Sequence, residues 1–305
     1  MTFCQSRLFL LFGWLLVAGC TSKHRPGADK STEAELATGW AHYSEGAFDA
    51  AATDFARAAV AAGMDLHKKQ AALYGSGIVW DMRRPGEDTV RAAQFYDEAL
   101  RVDPESELAV WCRLAQARQE HLARSSGETL PAVRQAYEHV VAALPGHPAA
   151  EEAFLLQQST LLIDRNPEDA HRALDALSRF VEVSPPPALV ASAWNLIARA
   201  HDVLGQPAER LAAGLRALET SEADPANPRT DRAGTLWDLA AQAEFDVGDF
   251  PTARRLLRRL LDKYPTDDRG YGARLALARM DAVEARLRAG ASADEVRREL
   301  DPARL

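Results

Sequence analysis

Three cysteines, eight histidines and a Gly75-Ser76-Gly77 triplet are the residues of this 305-residue chain whose types could do chemistry. A serine between glycines becomes a nucleophile when a strained strand-to-helix elbow holds it. No strand pattern flanks Ser76, so the triplet reads as small residues on a packed helix. His139 and His147 straddle an expected helix end and offer no shared ligand face. Glu120-His121 and Glu138-His139 are sequence neighbours and point apart on a helix. The histidines therefore read as solvated. Glu151-Glu152 falls at an expected helix start, where negative charge is favourable. There is no His-Glu-x-x-His helix, no Walker loop and no G-x-G-x-x-G. The chain is expected to have no catalytic residue, metal site, cofactor or small-molecule substrate. Cys112, within Ala109–Leu114, reads as a partly buried small hydrophobe.

Cys20 is different, because of what precedes it. Arg7 supplies one positive charge, and Leu8 to Ala18 is apolar apart from Gly13. That run has signal-peptide length and is short of the ~20 residues a spanning helix needs. Val17-Ala18-Gly19-Cys20 then resembles the bacterial lipobox. The resemblance implies a leader over residues 1–19, diacylglycerol on the Cys20 sulfur, cleavage before Cys20 and N-acylation of the freed amine. The plainer alternatives are an uncleaved anchor or an ordinary secreted leader. Thr21 stands where aspartate would favour inner-membrane retention, which implies the periplasmic face of the outer membrane. Two acyl chains would hold firmly, each buried methylene being worth about 0.8 kcal/mol. Cys4 would leave with the leader and Cys20 would be acylated. Cys112 would then stand alone, and no disulfide is expected. Residues 20–31, with Pro26 and Gly27, read as the acylated end and a flexible tether.

These positions need elements to carry them, and the pattern says helices. Hydrophobic residues are 47% and charged residues 26%, an ordinary globular balance. The net charge of −8 argues against a nucleic-acid partner. Small or apolar residues recur at i, i+4 and i+7. The sets are Ala51, Phe55, Ala58; Ala92, Tyr96, Ala99; Val133, Tyr137, Val140; Ala173, Leu177, Phe180; and Ala253, Leu257, Leu260. A weaker set is Arg210, Gly214, Ala217. Pro104, Pro145, Pro185 and Pro265 follow four of them, as helix stops. Trp111, Trp194 and Trp237 mark the preceding helices. Gly39, Ala115, Ala198 and Ala241 lie four residues further on or in the matching place. Gly46-Ala47-Phe48 and Gly248-Asp249-Phe250 read as turns.

This arrangement resembles the tetratricopeptide repeat, most fully from Trp237 to Pro265. The resemblance implies an all-α, right-handed superhelical solenoid of stacked antiparallel helix pairs, about six units over residues 32–289. The repeat departs from the family in length: equivalent positions recur every ~40 residues against about 34. Arg83–Asp88 and Arg124–Thr129 account for two insertions. Longer-unit helical repeats of the HEAT or Sel1 type are the architectural alternatives. Thr32-Glu33-Ala34-Glu35 and Ser292-Ala293-Asp294-Glu295 both read as capping boxes. Gly272 to Ala289 should pack on the last unit, and residues 290–305 should form a charged capping helix.

In that family the concave face is lined by the first helix of each pair and holds peptides. Carried over by position, the groove residues are Trp40 and Tyr43, Gln116 and Gln119, Asn195, Arg199 and Asp202, and Asp238, Gln242 and Phe245. The packing served by Gly39 does not require Trp40, and two readings of it stay open, a tryptophan packed against the terminal cap and a binding hot spot. The expected partners are envelope proteins or peptides at that face, and the membrane through the lipid on Cys20. The expected role is an adaptor in an envelope complex, or else a structural subunit of an outer-membrane assembly or secretion machine. Repeats fill nearly all of the mature chain, which leaves no room for a catalytic domain.

Overall fold

The computed structural model describes residues 29–83, 85–123, 130–183, 185–223, 231–292 and 295–296. The leader, Cys20, the first part of the tether, the Arg124–Thr129 insertion and the end of the terminal helix lie outside the described residues. Every regular element described is helical: α1 (Asp29–Ser44), α2 (Phe48–Ala61), α3 (Leu66–Met82), α4 (Thr89–Val102), α5 (Glu107–Ala123), α6 (Leu130–Ala143) and α7 (Pro148–Leu161). There follow α8 (Pro167–Glu182), α9 (Pro187–Val203), α10 (Pro207–Ala223) and α11 (Arg232–Ala241). A π-helical turn (Gln242–Val247), α12 (Phe250–Lys263) and α13 (Arg269–Arg288) complete the series. The chain divides into two compact units, residues 1–164 with α1–α7 and residues 165–305 with α8–α13.

Within each unit neighbouring helices in the chain pack on one another, and the i, i+4, i+7 sets form the seam. Phe55, Tyr96, Tyr137, Leu177 and Leu257 are all buried, each between two buried small or branched residues of its own helix, except that Phe180 stays half-exposed. The large ring needs a hollow to enter. Gly39 on α1 and Gly75 on α3 supply it on either side of Phe55: a Cβ there would stand 2.9 and 2.6 Å from the ring. Backbone contact of this kind lets helix pairs approach closely. The weaker fifth set behaves likewise, with Gly214 and Ala217 buried and Arg210 at the edge.

Local signals place the helix ends. Each of the four expected stop prolines lies just beyond its helix. Asp65, Asp88, Asn166, Asp231 and Asp249 accept hydrogen bonds from backbone amides of the first turns of α3, α4, α8, α11 and α12. Gly248 is left-handed at φ 79°, which stops the π-helical turn ahead of α12. At the C-terminus the Ser292 box is reciprocal: Ser292 Oγ and its amide reach Glu295 Oε2, and the Glu295 amide donates to Ser292 Oγ. The Thr32 box is not used so. α1 already begins at Asp29, so part of the expected tether is helical and Thr32 is buried inside the helix.

Candidate interaction surface

In the first unit the helices that open each pair are α1, α3 and α5, and the residues expected to meet a partner are largely committed to the fold. Trp40 meets Phe55 edge-on with ring centroids 5.0 Å apart, Tyr43 at 5.8 Å and Tyr74 at 6.3 Å. Tyr43 continues to Phe48, and Tyr74 to Tyr96 at 6.2 Å. The indole thus belongs to an aromatic ladder, so of its two readings packing is the one these contacts favour. Gln116 Nε2 donates to Asp97 at 2.7 Å. Gln119 Nε2 donates to Asp81 at 3.0 Å and to the Thr89 carbonyl. Both glutamines tie α5 to the preceding pair.

Several chemistry-bearing residues also turn out to be structural. Ser76 Oγ donates to the Ala72 carbonyl at 3.0 Å within its own helix, and a Cβ at Gly77 would stand 2.4 Å from Tyr96. The triplet is packing, as expected. Cys112 is buried, and burial pushes its thiol up to about 12, so it carries no reactive thiolate near neutral pH. The histidines are less solvated than their spacing suggested. His42 Nδ1 lies 2.6 Å from buried Asp54, His121 Nδ1 lies 3.0 Å from the Tyr137 hydroxyl, and His147 accepts the Ala149 amide at the start of α7. Glu152 is the larger surprise. Its carboxylate is mostly buried 3.8 Å from Arg118, and burial raises it to about 7 despite that cation. Nothing in the local pattern of Glu151-Glu152 singled out Glu152 as the acid that meets a cation, because the facing Arg118 comes from another helix.

Two further features had no sequence signal. Gln70 is buried and joins two helix ends: its Nε2 donates to the Ala99 and Asp103 carbonyls, and its Oε1 accepts from Ser106. Trp80 carries two guanidinium groups over its ring, Arg83 at 4.7 Å and Arg91 at 3.9 Å. It borders an open groove of about 810 Å³ along α2, with Glu35, Asp49, Ala56 and Val60 among its lining.

The second unit keeps more of its expected surface available. Asn195 and Arg199 on α9 are exposed, as is Asp238 on α11. Asp202 is instead engaged by Arg165 at 3.0 Å and Arg210 at 2.9 Å, and Arg210 also lies 3.6 Å from Asp246. The π-helical turn begins at Gln242, half-buried, and presents Phe245 at 66% exposure. One extra residue in a helical turn swings the side chains that follow. Glu244 is drawn inward, where both its oxygens meet the Arg279 guanidinium of α13 at 2.8 Å. Phe245 is left outside, with that guanidinium 5.0 Å from its ring. No group of three or more His, Cys, Asp or Glu among the described residues could hold a metal ion.

A family model for the tetratricopeptide repeat matches residues 235–280, the α11–α13 region. The fold is of the tetratricopeptide-repeat type. Among solved structures, PilW, described as a widely conserved type IV pilus biogenesis factor, superposes with a TM-score of 0.54 at 14% identity, covering 78% of this chain and 95% of that one. The tetratricopeptide domain of P58(IPK) gives a TM-score of 0.32 at 16% identity over 85% of this chain and 68% of its own, too low to bear on the fold. No curated protein matches the sequence. The tetratricopeptide repeat is typically a non-catalytic scaffold for protein interaction, and the arrangement of Asn195, Arg199, Asp238 and Phe245 suits such a surface.

Proposed function

We propose that this chain is a membrane-anchored interaction adaptor of a bacterial envelope complex, held by lipid on Cys20 and binding partner proteins through the opening helices of its second unit. The observation that carries the reading is that Asn195, Arg199 and Phe245 remain exposed on α9 and the π-helical turn while nearly every comparable position of the first unit is committed to the fold. The likeness to PilW supports a place in the assembly of an envelope machine, with a structural subunit of such a machine as the second reading. The lipobox supports the anchor and Thr21 supports the outer membrane.

The test combines Asn195→Ala with Arg199→Ala. These exposed sites should shift stability by less than about 0.5 kcal/mol. A binding anchor should instead cost about 2 kcal/mol or more in affinity. With an unchanged melting temperature, loss of partners in a crosslinking pull-down from native membranes supports the adaptor. Retention of every partner at wild-type strength, also in Phe245→Ala, refutes it.

A further inference from the structure

The two most exposed large apolar side chains among the described residues stand together at the turn from α2 to α3. Met64 is 92% exposed and Val60 83%, and Leu66 follows at 54%. Ala61 and Gly63 between them are exposed as well. Gly63 is left-handed at φ 53° and has nothing packed against it, so the turn forms a knob at the ends of the two helices. Single exposed apolar residues are ordinary on protein surfaces; three large ones within seven residues of one turn mark a contact site.

The start of the folded chain lies at the same end. α1 and α2 run antiparallel: Tyr43 meets Phe48 and His42 meets Asp54, which puts the start of α1 beside the end of α2. Lys68 Nζ, in the first turn of α3, lies 3.4 Å from Glu33 Oε1 of α1. Cys20 precedes Asp29 by nine residues. Nine residues span at most about 32 Å. Lipid on Cys20 would therefore keep the knob within reach of the bilayer. The charges around the knob cancel: Glu33 and Asp65 stand against Lys68 and Lys69, with Lys68 3.7 Å from Asp65. Lys69 is exposed, with no ion pair among the described residues. The neighbouring α4–α5 turn, joined to α3 through Gln70, is acidic, with Asp103, Glu105 and Glu107. The apolar contact is thus confined to the knob.

We propose that the 60–66 turn dips into the lipid surface to which Cys20 tethers the chain. Resting on the anchor reading, the proposal adds a second membrane contact and says which end of the first unit faces the bilayer. Val60, Met64 and Leu66 would sit among the acyl chains just below the headgroups, and Lys69 would extend its ammonium to a headgroup phosphate. Three side chains make a weak contact alone, but a short tether holds it at about millimolar effective concentration. The driving force is apolar burial at a site without net charge, so salt should matter little. A partner protein fits poorly: a stable interface takes about 800 Å² from each side, and a knob of three side chains beside an acidic turn does not supply it. A second copy of this chain meets the same limit.

The experiment holds the chain from Thr21 onward on phosphatidylcholine vesicles, by a histidine tag in place of Cys20 and a nickel-chelating lipid. An environment-sensitive dye is attached at Ala61→Cys; the buried Cys112 does not compete for it. Its emission should shift to the blue on the vesicles and keep that shift at high salt. The same dye at Glu45→Cys, in the turn at the other end of α1, should not shift. Met64→Glu combined with Leu66→Glu should abolish the shift, with circular dichroism unchanged because both sites are exposed. No shift at position 61, an equal shift at position 45, or a shift that survives the double variant overturns the proposal. So does a shift lost with salt, which would mark an electrostatic contact, or the same shift in concentrated chain without vesicles, which would mark a second copy. Mass spectrometry of Cys20 in chain extracted from native membranes tests the anchor separately. An unacylated Cys20 refutes the anchor reading; an acylated Cys20 with no shift at position 61 refutes the docking alone.

Discussion

Much of this structure turns on single residues whose neighbours come from another helix. Gly75 and Gly77 are held open for Phe55 and Tyr96, so a side chain at either must displace an aromatic ring. Gly77→Val should destabilise by about 1–3 kcal/mol in urea denaturation, while Ser76→Ala, which loses a hydroxyl bonded only to its own helix, should change little. Glu152 makes a pH prediction. Burial raises its folded-state pKa to about 7, above its unfolded value. The folded state then binds more protons than the unfolded state between those values. The stability contribution is fully present below the unfolded pKa and declines as pH rises towards and through about 7. Glu152→Gln should flatten that decline, measured as the denaturation midpoint followed from about pH 5 to about pH 8.

Elements are joined by caps and by hollows shaped for large side chains. Asp249 accepts the Thr252 amide at 3.0 Å at the start of α12, and hydrogen bonds from the Thr252 hydroxyl and from that amide hold its carboxyl below the usual range. Asp249→Ala should cost about 0.5–2 kcal/mol and loosen the π-helical turn together with α12. Trp237 lies over Gly272, where a Cβ would stand 2.9 Å from the indole. It is half-buried, so Trp237→Ala should cost about 3 kcal/mol, the low end for losing a large aromatic. In repeat folds each element leans on its neighbour. Hydrogen exchange should therefore report the loss in α11 and α13 as well.

At the scale of the whole molecule, residues 250–288 hold ten Lys and Arg against five Asp and Glu, a basic stretch that the net charge of −8 hides. Such asymmetry selects partners and speeds their encounter more than it stabilises a fold. The proposed anchor lies at the opposite terminus. Cys20→Ala should leave the protein uncleaved or mislocalised in fractionated cells, and mature-sized protein still in the membrane fraction would refute the lipobox reading.

Periodicity in the chain was enough for the helices and their seams. The i, i+4, i+7 sets, the trailing prolines and the Gly248 turn all depend on forces that act within one or two helical turns, and those forces are written locally. The reading failed where a residue's fate depends on a neighbour far along the chain. Whether Trp40 packs or binds was decided by Phe55 and Tyr74, whether Gln119 is available by Asp81, and whether Glu152 is solvated by Arg118. The start of α1 moved for a similar reason: Thr32 is buried by packing, and a buried position inside a helix overrides a capping preference worth only about 1 kcal/mol. The π-helical turn that exposes Phe245 had no local cue either, since the ion pair of Glu244 with Arg279 joins two helices that only the tertiary structure brings together.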